Sequence, residues 1–493
     1  MVKRIAAFAV LLACVAAHAQ ETLRIGSKRF TESYILAHVL AQTAAPALPS
    51  PPQVREGLGN TAITYEALRA GQIDMYPDYT GTISLEILKS DKPLPLEEMN
   101  RRLAPFGLGA AIPLGFNDGY ALAMRAADAR QLGVRTVGEL AKQPRLKLGL
   151  SNEFIGRADG WPGLAKAYSL PHRPTGLDHG LAYDAIAAKQ IDVMDIYTTD
   201  AKIGHLGLVV LEDDKRYFPR YDAIVLYRLD VPKKFPQAWA ALQKLQGRIG
   251  EDAMIAMNAK AELDKQGFAA IAAGFLAGAP AAPQQQRTLA ERMFGDGFGR
   301  LTLQHIALVA ASVLGAVVVG IPLGVLSFPH RRLRETLLAV AGLLQTIPSI
   351  ALLAILISLL GVIGVVPALV ALTLYALLPV MRNCVTGLQE VPQGLRDAAT
   401  ALGMTPGQSL RDIQLPLAMP TILAGVRIAT SISVGTATIA AFVGAGGYGE
   451  RIVTGLALND HQLLMAGAIP AAVLALASEA AFGLAERRLR SRR

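Results

Sequence analysis

Tyr79 and Tyr197 are the residues whose placement first points to a site. Tyr65–Asp74 (YEALRAGQID) echoes Tyr183–Asp192 (YDAIAAKQID), and in the same register Tyr79-Thr80 falls on Tyr197-Thr198. Leu23–Gly26 and Leu146–Gly149 form a weaker second echo. A repeat of this size predicts two similar lobes, with the two tyrosines just past equivalent strand ends. Ligands in open α/β sheets bind beyond the carboxyl ends of the strands, so two lobes would present two rings to a shared cleft. Asn117-Asp-Gly-Tyr120 lies where the chain would cross from the first lobe to the second, and Phe218-Pro-Arg-Tyr221 where it would cross back. Any one of these rings alone would read as core or surface; four at matched places make a contact site for a ligand. Nothing in the sequence points to bond-making. There is no Gly-x4-Gly-Lys-Ser/Thr phosphate loop, no His/Cys cluster with metal spacing and no nucleophile motif.

The elements that would position these rings alternate between strand and helix. Strand signals fall at Thr22–Gly26, Ile73–Tyr76, Leu146–Leu150 and Ile191–Met194, and a helix is expected over Thr31–Ala44. This alternation argues for α/β architecture with mostly parallel sheets.

Composition separates this region from the rest. The chain has 493 residues, 52% of them hydrophobic and only 18% charged, too apolar for an ordinary soluble protein. The average hides a boundary: residues to about 290 look globular and those after about 300 membranous. At the start, Lys3 and Arg4 precede an apolar run, and Ala17-His18-Ala19 offers a small-x-small cleavage site. Residues 1–19 are therefore expected to be a signal peptide or signal anchor, with lipidation at Cys14 as the alternative. The cysteines are Cys14 and Cys384, so an exported domain here has no disulfide. The net charge of +9 would suit nucleic acid, but the arginines cluster beside apolar spans and no nucleic-acid motif accompanies them.

Residues 276–297 read as a linker, rich in Ala, Gly, Pro and Gln. Beyond it, five spans are expected, at roughly 303–327, 337–360, 364–381, 421–443 and 462–484. Arg331, Arg332 and Arg334 follow the first, Arg382, Arg396 and Arg411 the third, and Arg487 to Arg493 the fifth. The positive-inside rule then puts the start outside and the end inside. Gln345-Thr-Ile-Pro-Ser349 and Thr430, Ser431, Ser433, Thr436 and Thr438 place polar groups inside spans, either to pack helices or to face a pathway. Between the third and fourth spans, Asp397–Pro416 reads as two short helices joined by Gly403–Gly407: an ordinary cytoplasmic loop, or one that docks a partner.

The spacing of that loop carries a resemblance. Asp397, Ala398, Ala399, Gly403, and Ile413-x-Leu415-Pro416 resemble the coupling-loop signature of ABC importer permeases, with Asp397 where the family more often has Glu. The resemblance implies that residues 391–416 insert into a cleft on a cytoplasmic ATPase. IGSKRFTES (Ile25–Ser33), YPDYTGT (Tyr76–Thr82), SNEFIGRADGWPGL (Ser151–Leu164), DIYTTD (Asp195–Asp200) and FPRYDA (Phe218–Ala223) look like the binding proteins of quaternary-amine osmoprotectant importers. Gln345–Ser349 and Gly444–Gly449 resemble the permeases of the same family. This implies a two-lobed type II periplasmic-binding-protein fold over residues 20–275, with the first lobe at about 22–118 and 222–275 and the second at about 120–220, followed by an all-α membrane permease over 298–493. It further implies an aromatic box of Tyr79, Tyr120, Tyr197 and Tyr221, with Lys28, Thr82 and Arg157 anchoring a ligand carboxylate. The chemistry is coherent: a trimethylammonium group donates no strong hydrogen bond, and ring faces attract it through their quadrupoles, while a carboxylate at the other end calls for Arg or Lys.

The expected function is therefore a binding protein fused to its permease in an ATP-driven importer for glycine betaine, choline, carnitine or ergothioneine. An importer of another amino-acid-like solute is the alternative, and a membrane-anchored solute receptor or a two-lobed transferase has less support. The resemblance implies a bacterial inner-membrane protein with a periplasmic binding domain and a cytoplasmic C-terminus. The implied partners are a permease homodimer and a cytoplasmic ATPase dimer, which would carry ATP and magnesium; this chain itself is expected to hold no cofactor or metal.

Overall fold

The computed structural model describes residues 22–157, 159–278, 288–295, 297–457 and 460–490. The expected signal segment 1–19 and the middle of the expected linker, 279–287, lie outside the described residues. The chain divides into two compact units, Met1–Glu56 with Gly71–Pro283 and Gly57–Ala70 with Gln284–Arg493.

The first unit contains two sheets of matching design. One has the order β2-β1-β3-β10-β4, from Gln53–Arg55, Arg24–Gly26, Met75–Tyr79, Ala223–Arg228 and Leu108–Ala111. β1 runs parallel to β2 and β3, and β10 runs antiparallel to β3 and β4. In the other, β5 (Tyr120–Arg125) runs antiparallel between β8 (Val193–Tyr197) and β9 (Leu208–Val210), and the parallel pair β6 (Gly149–Ser151) and β7 (Thr175–Leu177) joins β8 through a Leu148–Val193 bridge. Each lobe thus has three parallel strands, then one antiparallel strand that arrives from the other lobe, then an edge strand, β4 or β9: β5 crosses over and β10 crosses back.

The strands begin two to three residues later than the sequence signals predict. Asp74 Oδ2 accepts the Arg24 N–H at 2.7 Å, and the equivalent Asp192 Oδ2 accepts the Lys147 N–H at 2.8 Å. These two aspartates occupy the same place in the repeat, so the sequence echo is a shared strand-start device. Helix α1 (Thr31–Ala44) packs its apolar side into the first lobe, with Tyr34, Ile35, Leu36, Val39 and Leu40 all buried.

The second unit is helical. Phe298–Ser327, Val365–Gln389, Pro406–Val443 and His461–Leu484 are each long and apolar enough to cross a membrane. The expected span 337–360 falls on a broken pair, Arg331–Thr346 and Ser349–Leu360, bent by 103°, which makes a fifth span if the pair crosses as one. The reason is Pro348. It lacks an N–H and pushes the preceding residue out of the α region, and Ile347 is extended at φ −66°, ψ 127°. The carbonyl of Ile347 accepts the Tyr375 hydroxyl at 2.5 Å, so the break is satisfied from the neighbouring helix. Ala316, Gly320 and Gly324 line one face of Phe298–Ser327; a Cβ added at Gly320 would lie 3.1 Å from Val380, and one at Gly324 3.0 Å from Cys384 Sγ. Small residues at such spacing let membrane helices approach closely. The hydroxyls of Thr430 and Thr436 bond carbonyls of their own helix, at Val426 and Ile432, and Ser431 donates to Glu479 at 2.9 Å. Within the expected linker, Leu289–Phe294 is a helix closed by a Thr288–Glu291 capping box.

Candidate functional site

The paired sheets bring the ends of four strands together. Tyr79 ends β3, Tyr197 ends β8, Tyr120 begins β5 and Tyr221 stands two residues before β10. Tyr120 is the register partner of Tyr197, with ring centroids 5.2 Å apart. Tyr221 meets Tyr120 edge-on, 5.5 Å away at 84°. Tyr79 reaches the group through Phe30, whose ring lies 6.3 Å from Tyr79 and 5.5 Å from Tyr197. Phe30 sits in the turn between β1 and α1. Its signal was an aromatic directly between Lys28-Arg29 and the helix start, in a stretch already singled out. Phe154 and Phe218 extend the cluster behind Tyr120, at 5.1 and 6.4 Å.

Backbone chemistry holds the two crossings. Asn117 Oδ1 accepts the Tyr221 N–H at 2.7 Å, and Thr198 Oγ1 accepts the Gly119 N–H at 2.9 Å. Gly81 leaves the room that Tyr221 occupies: a Cβ there would lie 2.5 Å from Cδ1 of that ring.

Lys28, Thr82 and Arg157 are all buried in this region. Lys28 Nζ lies 2.8 Å from Asp78 Oδ1 and 4.8 Å from the Tyr79 ring centroid. Arg157 forks onto Asp159, with Nε 2.8 Å from Oδ1 and Nη2 2.6 Å from Oδ2. Its Nη2 also lies 3.4 Å from Thr82 Oγ1, joining the two lobes, and its guanidinium stands 5.3 Å from the Tyr120 centroid. Asp159 additionally accepts the Tyr221 hydroxyl at 2.8 Å. The two basic groups thus come to the aromatic cluster already matched by aspartates, Lys28 over the Phe30 and Tyr79 rings and Arg157 over Tyr120.

A second polar group backs Tyr197. His179 Nε2, the Tyr183 hydroxyl and the Tyr197 N–H all lie within 3.0 Å of Asp200 Oδ2. Burial pulls the imidazole down, but the charge and hydrogen bond of Asp200, with Asp195 and Glu262 beyond, outweigh it and lift His179 to about 9. Ser151 holds Asp195 through its N–H and hydroxyl, at 2.5 and 2.6 Å, and burial still raises that carboxyl. No group of three or more His, Cys, Asp or Glu with metal-holding geometry occurs among the described residues.

Residues 21–278 match the family described as the substrate binding domain of ABC-type glycine betaine transport systems. The chain belongs to that family. Residues 316–491 match the binding-protein-dependent transport system inner membrane component, so this is an importer's binding domain fused to its permease. The permease half is 44% identical over 180 residues to an osmoprotectant import permease protein of Salmonella typhimurium, covering 36% of this chain and 84% of the relative. The binding half is 33% identical over 273 residues to the glycine-betaine-binding protein of Pseudomonas aeruginosa, covering 52% of this chain and 87% of the relative. An ergothioneine transport permease/ergothioneine binding protein of Helicobacter pylori is 32% identical over 263 residues, 52% of this chain and 47% of that protein. The importer chain spans about half the length of this last relative. A solved structure described as a glycine betaine/carnitine/choline ABC transporter aligns at 27% identity and a TM-score of 0.45, over 52% of this chain and 98% of that one. The two-lobed α/β half is accordingly the periplasmic-binding-protein fold, type II in its strand order, and the helical half is the permease.

The permease half contains the residues whose spacing resembles a coupling loop. Gln393–Ala401 is a helix, Gly403 adopts φ +77°, and Thr405 caps Pro406–Ser409 in a capping box with Gln408. Leu415 and Pro416 then open the membrane helix Leu415–Thr436. Ala399 is buried, whereas Asp397 and Ala398 are exposed and Asp397 accepts the Gln393 amide at 2.9 Å. Leu402, beside Gly403, is 81% exposed, an apolar side chain turned outward from the loop.

Proposed function

We propose that this chain imports a quaternary-ammonium solute, with the cluster of Tyr79, Phe30, Tyr197, Tyr120 and Tyr221 as its contact surface. The observation that carries the reading is the convergence of these rings from two lobes and two crossings on one place. Ring faces attract a methylated cation at roughly 0.5–2 kcal/mol each when water is excluded. The names of the Pseudomonas and Helicobacter relatives support a betaine-like ligand. Thr82 and Arg157 meet across the lobes and would orient a carboxylate, with Lys28 beside Tyr79; Arg157 and Lys28 exchange part of their contact with Asp159 and Asp78 when it enters.

In this reading the lobes close on the solute on the periplasmic side of the inner membrane and deliver it to a permease homodimer. Energy comes from a separate ATPase dimer, which holds ATP and magnesium and docks beneath residues 391–416. The exposed Leu402 supports the docking role, since an outward apolar side chain on a short polar loop suits a partner's cleft. The test is calorimetry on the detergent-purified full-length chain with glycine betaine, choline, carnitine, ergothioneine and unmethylated amino acids. Binding of a methylated amine supports the reading. Binding of unmethylated amino acids alone would keep the importer and overturn the substrate class.

A further inference from the structure

Thr199 stands between two buried carboxyl groups with one proton to give. Its Oγ1 lies 2.6 Å from Glu32 Oε2 and 2.8 Å from Asp118 Oδ1. A hydroxyl donates a single hydrogen bond and otherwise accepts. Were both carboxyls ionised, one of these short contacts would set lone pair against lone pair. One of the two acids therefore carries a proton.

The other donors decide which. Glu32 Oε1 accepts the Tyr79 hydroxyl at 2.5 Å, and Oε2 accepts the Asn258 amide at 3.2 Å as well as Thr199. Glu32 also lies in the first turn of helix α1, where the helix dipole favours a negative charge. Asp118 has the Thr199 N–H at 3.4 Å, a far weaker set. The proton therefore belongs on Asp118, which donates to Thr199, which donates to the Glu32 carboxylate, whose other oxygen holds Tyr79.

This relay spans both lobes and one of the crossings between them. Glu32 and Tyr79 belong to the first lobe, Thr199 stands two residues past the end of β8 in the second, and Asp118 lies in the crossing between them. Asn258 joins from helix Glu251–Glu262, bonding both Glu32 and the Thr199 carbonyl. We propose that Glu32 and Asp118 are positioning residues of the solute site, sharing one proton through Thr199 so that lobe closure fixes the Tyr79 ring. The link to solute rests on the function proposed above; the proton relay itself does not.

The surrounding charges agree. Burial, then the hydrogen bonds that partly oppose it and the charge of Asp200, leave Glu32 pushed up to about 7. Burial and the charges of Glu32 and Asp200 hold Asp118 well above the usual carboxylate range. Asp200 is taken by His179 and Tyr183, and Asp78 beside Tyr79 is taken by Lys28. On the Asn258 helix, Glu262 has Lys202 near it. An acid whose folded pKa is raised contributes stability that is fully present below its unfolded pKa and is lost as pH rises through the folded one. The Glu32 proton leaves first, near 7, and the contribution of the proton shared from Asp118 is lost as pH climbs above that.

The test uses the full-length chain in detergent. Its two tryptophans, Trp161 and Trp239, both belong to the binding unit, so their fluorescence follows unfolding of that unit alone. The difference between variant and wild type is read as pH is raised from about 7 upward, where Glu32 is ionised and the proton on Asp118 is the one still to be lost. Asp118→Asn supplies an N–H to Thr199 at every pH, so its unfolding midpoint is expected to fall less than that of the wild type. Equal slopes overturn the proposal. Should Asp118→Asn not fold, Glu32→Gln makes the same comparison with the amide on the other side of Thr199. A second arm measures glycine betaine affinity: wild type is expected to weaken on raising pH, by at most about tenfold per unit for one linked proton, and Asp118→Asn to show a flatter profile. A wild type that binds no methylated amine but keeps the slope difference would remove the solute assignment and still support the relay.

Discussion

Tyr120 and Tyr197 face each other as register partners across an antiparallel strand pair, their rings 5.2 Å apart. One begins the strand that enters the second lobe and the other ends a strand native to it. Their contact is therefore set by sheet register, which a one-residue slip would destroy, since it turns every side chain to the opposite face. In the proposed solute site this pair would form the floor, and Tyr79, reached through Phe30, the part brought by the other lobe.

Removing the floor ring should weaken solute binding without unfolding the domain. Tyr197 is half-buried and touches Phe30, Tyr120 and His179. Tyr197→Ala is expected to lower affinity for a methylated amine by roughly 2- to 30-fold, the range that corresponds to about 0.5–2 kcal/mol for one ring face. Tyr197→Phe keeps the ring and should stay near the wild type. Calorimetry on the full-length chain reads both. Equal losses in the two variants would mean that the hydroxyl, not the ring face, is what matters.

The site should also respond to a residue that has no ring. A methyl group at Gly81 would stand 2.5 Å from Cδ1 and 2.6 Å from Cε1 of Tyr221, and 3.0 Å from the Arg220 carbonyl. Tyr221 is held behind by its bonds to Asn117 and Asp159, so it cannot withdraw freely. Gly81→Ala is expected to shift the ring and reduce affinity, with overpacking costing about 1–3 kcal/mol of stability. Unaltered binding together with an unaltered melting midpoint would show that Tyr221 yields and does not shape the site.

His179 gives the binding unit a separate alkaline sensitivity. Its imidazole is lifted from 6.5 to about 9 against the pull of burial, chiefly by Asp200. A raised folded pKa contributes stability that is complete below the unfolded value and is lost as pH rises through the folded one. The window here runs from about 6.5 to about 9, and the contribution is about 3 kcal/mol at most. His179→Gln should remove much of the fall in midpoint across that window, followed by tryptophan fluorescence. A variant as alkali-sensitive as the wild type would place the sensitivity elsewhere.

The repeat was legible because it lies in contiguous stretches: Asp74 and Asp192 perform the same backbone cap at the same offset from Tyr79 and Tyr197. The partners of the site were not. Glu32 meets Thr199 across 167 positions and Asn258 across 226, and a carboxylate read alone suggests a solvated face. Asp78 and Asp159 stood inside the stretches that drew notice, yet nothing local says that they close on Lys28 and Arg157. In the permease, Pro348 was visible, but averaging over an apolar window hides a single missing N–H. The 103° break follows from that one residue and from the Tyr375 hydroxyl that reaches across to Ile347.

The loop proposed to dock the ATPase offers the test that separates transport from mere binding. Gly403 takes φ +77° to end its helix, and a Cβ there would meet nothing within 4 Å. Substitution therefore costs backbone strain and not a clash. Asn and Asp tolerate the left-handed conformation better than other side chains, where the cost is roughly 1–2 kcal/mol. Both Gly403→Asn and Gly403→Asp should fold and bind solute. They differ in charge beside the exposed Leu402, the side chain that would enter the ATPase cleft. An uncompensated charge buried at an interface is costly, so Gly403→Asp should lose solute-stimulated ATP hydrolysis in the reconstituted complex, with Gly403→Asn retaining more of it. Full stimulation in the aspartate variant would mean that the loop tip does not dock, and that the ATPase is engaged by some other part of the permease.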